Sequence, residues 1–186
     1  QTNWGPEETQ YNTTQALGIA DFADGSSGVM AFSRHAPTEG LLITLNTPAN
    51  GDYASEGMVS DYTLVMDLYW PEEGKDIYRA IMQANTQDYL TDDADMFIDP
   101  TGGYGKSTSD SGYFGQTEPE NWHRVAFVFY TAPSNGVFEV YIDGELAGVK
   151  EDGEINNTWA LTSSVLLFTD NNFETVPGYL NALLYA

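Results

Sequence analysis

Oxygen-bearing side chains gather at two places in this sequence, each at one end of a predicted strand. The groups are Asp92, Asp93 and Asp95, and Asp170, Asn172 and Glu174. Calcium takes about six to eight oxygen ligands from carboxylates and carbonyls, and it needs neither cysteine nor histidine. Because Asp and Asn also stabilise turns and stay solvated in acidic loops, the clusters have a second explanation without metal.

A second set of residues could bind a carbohydrate. Sugar CH faces pack on aromatic rings, while sugar hydroxyls form hydrogen bonds with charged and amide groups. Aromatic residues outside the predicted core pattern, with two polar neighbours, therefore form the candidate ligand site. They are Asp67, Tyr69, Trp70, Arg79, Tyr104 and Tyr113. For each aromatic residue, packing in the core or at its rim is the alternative.

The charge of the chain restricts its partners. Its 186 residues include 28 acidic and only 6 basic side chains, which gives a formal net charge of −22. Such a surface repels phosphate backbones, so nucleic acid is not expected as a partner, and an anionic glycan would need bridging cations. A neutral glycan or calcium fits better. The acidity is equally explained as a means of keeping an extracellular or salt-exposed protein soluble.

The composition also argues against cysteine-dependent sites, membrane insertion and a second domain. The chain has no cysteine, so it has neither a disulfide framework nor a thiolate zinc site. No apolar run reaches the ~20 residues of a membrane-spanning helix, so no membrane insertion is expected. No shift in composition divides the chain, and 186 residues are enough for one core. We predict a single domain over residues 1–186.

The elements that must position these residues are short strands. Alternating apolar residues, frequent glycines and regular turn signals predict about a dozen strands in an all-β, two-sheet antiparallel sandwich. The predicted strands cover residues 28–33, 41–45, 62–70, 78–84, 95–99, 112–115, 124–130, 138–143, 145–150, 165–169 and 179–186. Residues 1–18 are polar and irregular and are expected to form an edge strand or a terminal arm. No helix longer than a short turn, near residues 88–94, is predicted.

Two segments carry the clearest alternation. Val125, Phe127 and Phe129 alternate with more polar neighbours, and after a Pro-Ser-Asn-Gly connection a second strand alternates in the same way, which predicts an antiparallel hairpin. In residues 62–70, one face is apolar throughout. The other face carries Asp67 and Tyr69, as expected of a central strand whose second face lies on a concave surface.

The hairpin also carries a family resemblance. Its Trp122-His123-Arg124 start and its Tyr-Ile-Asp-Gly end at Gly144 resemble the laminin G-like domains of the concanavalin A-like jelly-roll superfamily. Three further patches, at 62–68, 92–98 and 166–170, follow in the order found in a bacterial branch of these domains, so the resemblance spans about residues 28–186. It implies a jelly roll, a calcium ion on its rim, and a non-catalytic module for attachment or targeting in a larger secreted protein.

Enzymatic members of the superfamily carry motifs that this sequence lacks. Retaining glucanases need paired carboxylates on one strand in a pattern resembling Glu-x-Asp-x-Glu, and the nearest run here has Phe97 where a carboxylate would continue. The lyases' Gln-x-His strand is also missing, and His35 and His123 stand in no recognisable catalytic pattern. The sequence therefore favours a non-catalytic, extracellular glycan-binding or adhesion module. Two alternatives stay open: a structural or protein-interaction domain, and a diverged lyase or hydrolase.

Overall fold

The chain folds into two facing β-sheets. The computed structural model describes residues 2–3, 10–32, 39–84, 94–106, 112–131, 136–151, 159–169, 179–181 and 184–185. Its strands are β1 (Thr2–Asn3), β2 (Gln10–Thr13), β3 (Gly28–Phe32), β4 (Glu39–Thr44), β5 (Tyr62–Tyr69), β6 (Tyr78–Ala84), β7 (Ala94–Ile98), β8 (Tyr104–Lys106), β9 (Tyr113–Phe114), β10 (Trp122–Tyr130), β11 (Val137–Ile142), β12 (Glu145–Glu151), β13 (Ser164–Leu167), β14 (Tyr179–Asn181) and β15 (Leu184–Tyr185). The helix α1 (Thr14–Leu17) and the 3-10 turns Ala54–Glu56 and Glu72–Gly74 complete the elements.

The strand orders confirm the predicted all-β sandwich. One sheet runs β1-β4-β13-β6-β7-β8-β9, with β14 beside β6, and the other runs β12-β11-β10-β5-β15-β3-β2. Nearly all described pairs are antiparallel, and the exceptions are β1 with β4 and β14 with β6. We call these the eight-stranded and the seven-stranded sheet. Within the described residues, no helix has the length and apolar character needed to cross a membrane.

The predicted alternation of the hairpin is confirmed by burial. Val125, Phe127 and Phe129 of β10 are almost fully buried, whereas their neighbours along the strand are exposed or half-buried. The ring of Phe129 stacks on Phe138 at 5.0 Å and on Trp159 at 5.0 Å between centroids. Since truncating one buried aromatic residue to alanine costs about 3–5 kcal/mol, this stack is a main source of the sandwich's stability.

Two parts of the strand prediction differ from the structure. The predicted last strand, 179–186, is described in two pieces: β14 pairs with β6 of the eight-stranded sheet, and β15 pairs with β3 and β5 of the seven-stranded sheet. An apolar run has the same pattern in either sheet, so the change of sheet is invisible in the sequence. The strand β8 was missed because its Tyr-Gly-Lys is flanked by glycines and serines, which read as a loop. The predicted short turn near 88–94 falls largely outside the described residues.

Thr117 ties the core to the loop before β8. Its side-chain oxygen accepts a hydrogen bond from Nε1 of Trp70 at 3.2 Å, lies 3.2 Å from the hydroxyl of Tyr104, and donates to the carbonyl of Gly102 at 3.2 Å. Gly102 has φ 88° and lies against the Thr117 backbone, where an added Cβ would overlap the Thr117 carbonyl oxygen. Only glycine fits at this position, because both the backbone angle and the space exclude a side chain.

We expect Gly102→Ala to lower the free energy of unfolding by about 2–5 kcal/mol, since the left-handed backbone and the overlap both cost energy. Gly57→Ala is the matched control. Gly57 also has positive φ, 82°, but nothing lies within 4 Å of its added Cβ, so its loss should be only about 1–2 kcal/mol. Urea denaturation measures both, and equal losses would show that the contact with Thr117 is unimportant.

Candidate functional site

A cavity opens on the face of the seven-stranded sheet that points away from the core, which we call the outer face. Its volume is about 650 Å³. It lies where β10 begins, where β5 approaches its end, and beside the turn between β11 and β12. We call it the rim cavity, and its lining consists of Phe22, Ala23, Asp24, Ser26, Gly28, Asp67, Trp122, His123, Arg124, Asp143 and Gly144.

An arginine–aspartate pair forms the floor of the rim cavity. Arg124 of β10 and Asp67 of β5 are direct partners in the antiparallel register. The guanidinium donates from Nε to Oδ1 at 2.8 Å and from Nη2 to Oδ2 at 2.7 Å. These hydrogen bonds and the carboxylate charge raise the pKa of Arg124. Because the arginine side chain is 65% exposed, the pair adds little stability, but it fixes the guanidinium with its remaining N–H groups available.

A tight turn supplies the second carboxylate. Asp143 and Gly144 connect β11 to β12 with φ values of 53° and 87°, as expected of a two-residue type I′ hairpin turn. The Asp143 carboxylate accepts from the backbone N–H of Arg124 at 2.9 Å and from Nδ1 of His123 at 2.8 Å. Burial works to raise the pKa of Asp143, but these two hydrogen bonds outweigh it and leave the pKa lowered.

His123 lines the rim cavity and is oriented by Asp143. Since a carboxylate accepts at Nδ1, the neutral ring carries its proton there and has its lone pair on Nε2. Nε2 is shielded from solvent and has no hydrogen-bond partner in the described part of the chain. The pair with Asp143 therefore orients the His123 ring and holds the turn against the start of β10.

Aromatic rings form one wall of the rim cavity. Trp122 stacks on Phe22 at 3.9 Å between centroids, packs on Tyr69 at 5.4 Å, and donates from Nε1 to the carbonyl of Ala20 at 2.7 Å. The loop beyond Phe22 contributes Asp24, which accepts from the backbone N–H of Ser26 at 2.8 Å. Hydrogen bonds from Ser26 lower the pKa of Asp24, so this carboxylate is ionised at neutral pH.

The predicted ligand residues separate into surface and core positions. Asp67 lines the rim cavity, and Tyr69 lies beneath Trp122 with 6% of its surface exposed. Trp70, Arg79 and Tyr104 are core residues, with at most 2% exposed, so in this structure they offer no surface for sugar stacking. Trp70 ends the apolar face predicted for residues 62–70, so its burial agrees with that alternation, whereas Tyr104 stands among glycines, where alternation defines no face. The indole N–H of Trp70 and the hydroxyl of Tyr104 both form their hydrogen bonds inside the core, with the Thr117 side chain.

Arg79 is a buried cation whose partner is a ring. Its guanidinium carbon lies 4.1 Å from the centroid of Trp70, a cation–π contact, and Nη1 donates to the carbonyl of Ile77 at 3.3 Å. Nε and Nη2 have no hydrogen-bond partner in the described part of the chain. Burial lowers the pKa of Arg79 to about 10, which shows the cost of enclosing this charge.

Tyr113 lies on the other sheet. It is half-buried on β9, and its ring packs at 5.8 Å from Tyr78. Tyr78 in turn contacts Phe97. The next residue along each strand, Phe114 after Tyr113 and Ile98 after Phe97, packs into the core. Tyr113 therefore belongs to the outward face of the eight-stranded sheet, away from the rim cavity. The structure does not bring it together with Asp67.

The predicted metal ligands are only partly described. Asp95 lies on β7 and is 9% exposed, while Asp92, Asp93, Asp170, Asn172 and Glu174 lie outside the described residues. Among the residues that are described, no three His, Cys, Asp or Glu side chains gather closely enough to hold a metal ion. The calcium prediction thus stays a prediction.

Sequence reasoning missed most of the rim cavity. It used Trp122, His123 and Arg124 only as the start of the family resemblance, and it gave Asp24 and Asp143 no role. A pairing of residues 62–70 with 122–130 would have placed Arg124 opposite Asp67. The Asp143-Gly144 turn was a further signal. Because β11 runs antiparallel to β10, the turn at the end of β11 lies beside the start of β10, which brings the Asp143 carboxylate close to Arg124.

Comparisons with known proteins support the fold. No protein-family model matches the sequence, and a search of curated proteins finds no match. Among solved structures, the endo-β-1,4-glucuronan lyase of the fungus Trichoderma reesei is similar with a TM-score of 0.50 at 12% identity, covering 96% of this chain and 84% of the lyase. The chain has a two-sheet jelly-roll fold.

Two other similar structures have lower scores. A heptameric pentraxin from Limulus polyphemus gives a TM-score of 0.49 at 15% identity over 69% of this chain, which spans 62% of the pentraxin's length. The CBM40 module of the Ruminococcus gnavus IT-sialidase gives 0.48 at 14% identity, covering 84% of this chain and 89% of the module. Likeness at these identities concerns the fold alone.

The turn at Asp143 gives a pH-dependent prediction. Because the folded-state pKa is lowered, the ionised carboxylate stabilises the fold above its ordinary pKa of 3.8, and this stabilisation disappears as the pH falls through the lowered folded-state value. We expect Asp143→Asn to lower the melting temperature at neutral pH and to converge with the wild type in acid. Asparagine tolerates positive φ, so the turn is kept.

Thermal melts from neutral pH down to pH values below 3.8 check the prediction, with Asp52→Asn as the control. Asp52 is an exposed carboxylate outside the rim cavity, and its variant should follow the wild type at all pH values. A gap between Asp143→Asn and the wild type that stays constant into acid would show that the charge of Asp143 plays no part.

Proposed function

We propose that this protein is a non-catalytic carbohydrate-binding module that holds a neutral glycan in the rim cavity. The observation that carries the proposal is the combination found there: an aromatic wall from Phe22 and Trp122, beside three aspartates and a single exposed guanidinium. A sugar ring offers apolar CH faces and a periphery of hydroxyls. Sites for such ligands combine an apolar surface with a few fixed polar groups.

The hydrogen-bonding inventory of the cavity fits a polyol. Asp24, Asp67 and Asp143 present acceptor oxygens with lone pairs beyond those already used, and Arg124 is the main donor. A ligand rich in O–H donors complements this excess of acceptors. The three carboxylates outnumber the guanidinium, which Asp67 already neutralises, so a sugar carboxylate or sulfate would be repelled. Neutral sugars follow from this local balance as well as from the net charge of −22.

The protein is a laminin G-like module of a larger secreted protein, and the support is the resemblance of the hairpin 122–144 and of the three patches that accompany it. Calcium binds near Asp95 or in the second acidic segment, at residues 170–174, and stabilises the fold. The support for calcium is the concentration of oxygen ligands there in a strongly acidic chain.

Affinity electrophoresis tests glycan binding. We expect retardation by at least one of laminarin, xyloglucan, galactomannan and dextran, and none by polygalacturonate. Arg124→Gln removes the main donor and should weaken binding by about tenfold or more, which corresponds to about 1.4 kcal/mol. Since exposed ion pairs contribute only about 0–1 kcal/mol to stability, the variant should remain folded.

Lys75→Gln is the matched control. Lys75 is also an exposed cation with an acidic partner, Glu72 at 3.3 Å, and it does not line the rim cavity. Its variant should bind like the wild type. Unretarded migration of the wild type in every gel, together with a blank glycan array, would overturn the proposal in favour of a structural or protein-interaction domain.

Calcium binding has its own test. After chelation, calcium should raise the melting temperature and produce a saturable heat in calorimetry, because an ion that binds only the folded state stabilises it. Magnesium at the same ionic strength is the control, since it demands a tighter octahedral geometry. If calcium and magnesium give the same small shift, general screening of the charge explains it, and the calcium site is rejected.

A further inference from the structure

The outer face extends well beyond the rim cavity along β10. The register places the side chains of residues 122, 124, 126, 128 and 130 on this face, opposite 69, 67, 65 and 63 of β5 and 141, 139 and 137 of β11. Arg124 and Tyr130 are six positions apart, which is about 20 Å at the rise of a strand. The site therefore has a direction along which a long ligand can lie.

A cluster of three polar residues stands on this face beyond the cavity. The hydroxyl of Tyr130 donates to Oε1 of Glu139 at 3.1 Å, and that of Tyr141 donates to Oε2 at 2.9 Å. Partial burial and the bond to Glu139 raise the pKa of Tyr130, and the same bond and partial burial raise that of Tyr141. Both hydroxyls thus stay protonated and hold the carboxylate still. We call this cluster the tyrosine platform.

Small side chains connect the rim cavity to the tyrosine platform. Ala126 lies between Val65 and Tyr141, and Val128 lies between Thr63 and Glu139. Val65 is 55% exposed, and none of the connecting residues is long or charged. The surface is therefore a low, largely apolar floor with the two tyrosines and the Glu139 carboxylate along one side. Apolar surface interrupted by fixed acceptors matches a chain of sugar rings.

We propose that the outer face binds an internal stretch of a polysaccharide chain, which runs from the rim cavity across Ala126 and Val65 to the tyrosine platform. This inference rests on the proposed function and specifies its ligand as a polymer rather than a terminal sugar. The acceptor-rich surface favours a ligand that brings its own donors. A second copy of this protein is a poor occupant, since each copy carries a net charge of −22.

Calorimetry with oligosaccharides of increasing length tests the inference. Laminari-, cello-, xylo- and manno-oligosaccharides of two to six units are the probes. For the series that binds, the affinity of the wild type should rise by about tenfold or more from the shortest to the longest member, because each added contact region contributes free energy. Val65→Gln and Tyr141→Ala should lose most of this rise while keeping the affinity for the shortest member.

Two control variants test whether the loss of length dependence is specific to the surface between the rim cavity and the tyrosine platform. Ile43→Gln changes a similar exposed residue, 37% exposed, on β4 of the other sheet, and Tyr11→Ala removes a tyrosine, 70% exposed, from β2 at the far edge of the same sheet. Both should keep the length dependence. Tyr141→Phe keeps the ring and removes only the hydroxyl, so it should fall between the wild type and Tyr141→Ala.

The outcomes distinguish the two proposals. Binding that depends on Arg124 but does not increase with length overturns the extended site and leaves the rim cavity as a glycan site. No binding of any probe or polysaccharide overturns both. A dimer in sedimentation that Val65→Gln dissociates would assign the outer face to a second copy and overturn the extended site.

Discussion

The pairing of β10 with β5 on one side and β11 on the other is the constraint on which the rest of the structure depends. Because side chains alternate across a strand, this register sends Val125, Phe127 and Phe129 into the core and every second neighbour to the outer face. A slip by one residue would exchange the two sets completely. The aromatic core therefore determines the position of Arg124 opposite Asp67 as firmly as it determines its own packing.

The sequence predicts the part of the fold that follows from local periodicity. The strands 62–70 and 124–130 were recognised because a single apolar face repeats over several residues, and the hairpin followed from the turn residues between 124–130 and 138–143. The exchange of sheets between Tyr179–Asn181 and Leu184–Tyr185 was missed because it is a property of tertiary pairing. Periodicity defines which residues face a core, but not which sheet supplies the neighbours.

The candidate site was harder to predict for a related reason. Single residues with suitable chemistry, such as Trp70 and Tyr104, turned out to serve the core, because a buried tryptophan or tyrosine can satisfy its polar tip on Thr117. The residues that do meet at the rim cavity, Asp24, Asp67 and Asp143, are far apart in sequence. Only the fold brings them together, although the alternation of residues 62–70 marks Asp67 and the Asp-Gly turn marks Asp143.

This separation in sequence links ligand binding to folding. The loop at Phe22 and the turn at Asp143 reach the rim cavity from opposite parts of the chain, and β10 lies between them in sequence. Contacts of such high sequence separation form late and slowly in β-sandwiches. A partly folded chain would lack the cavity, so any ligand held there stabilises only the completed sandwich, by an amount that grows with its concentration. Ligand binding in the rim cavity would thus require, and report, that these distant segments of the domain have folded together.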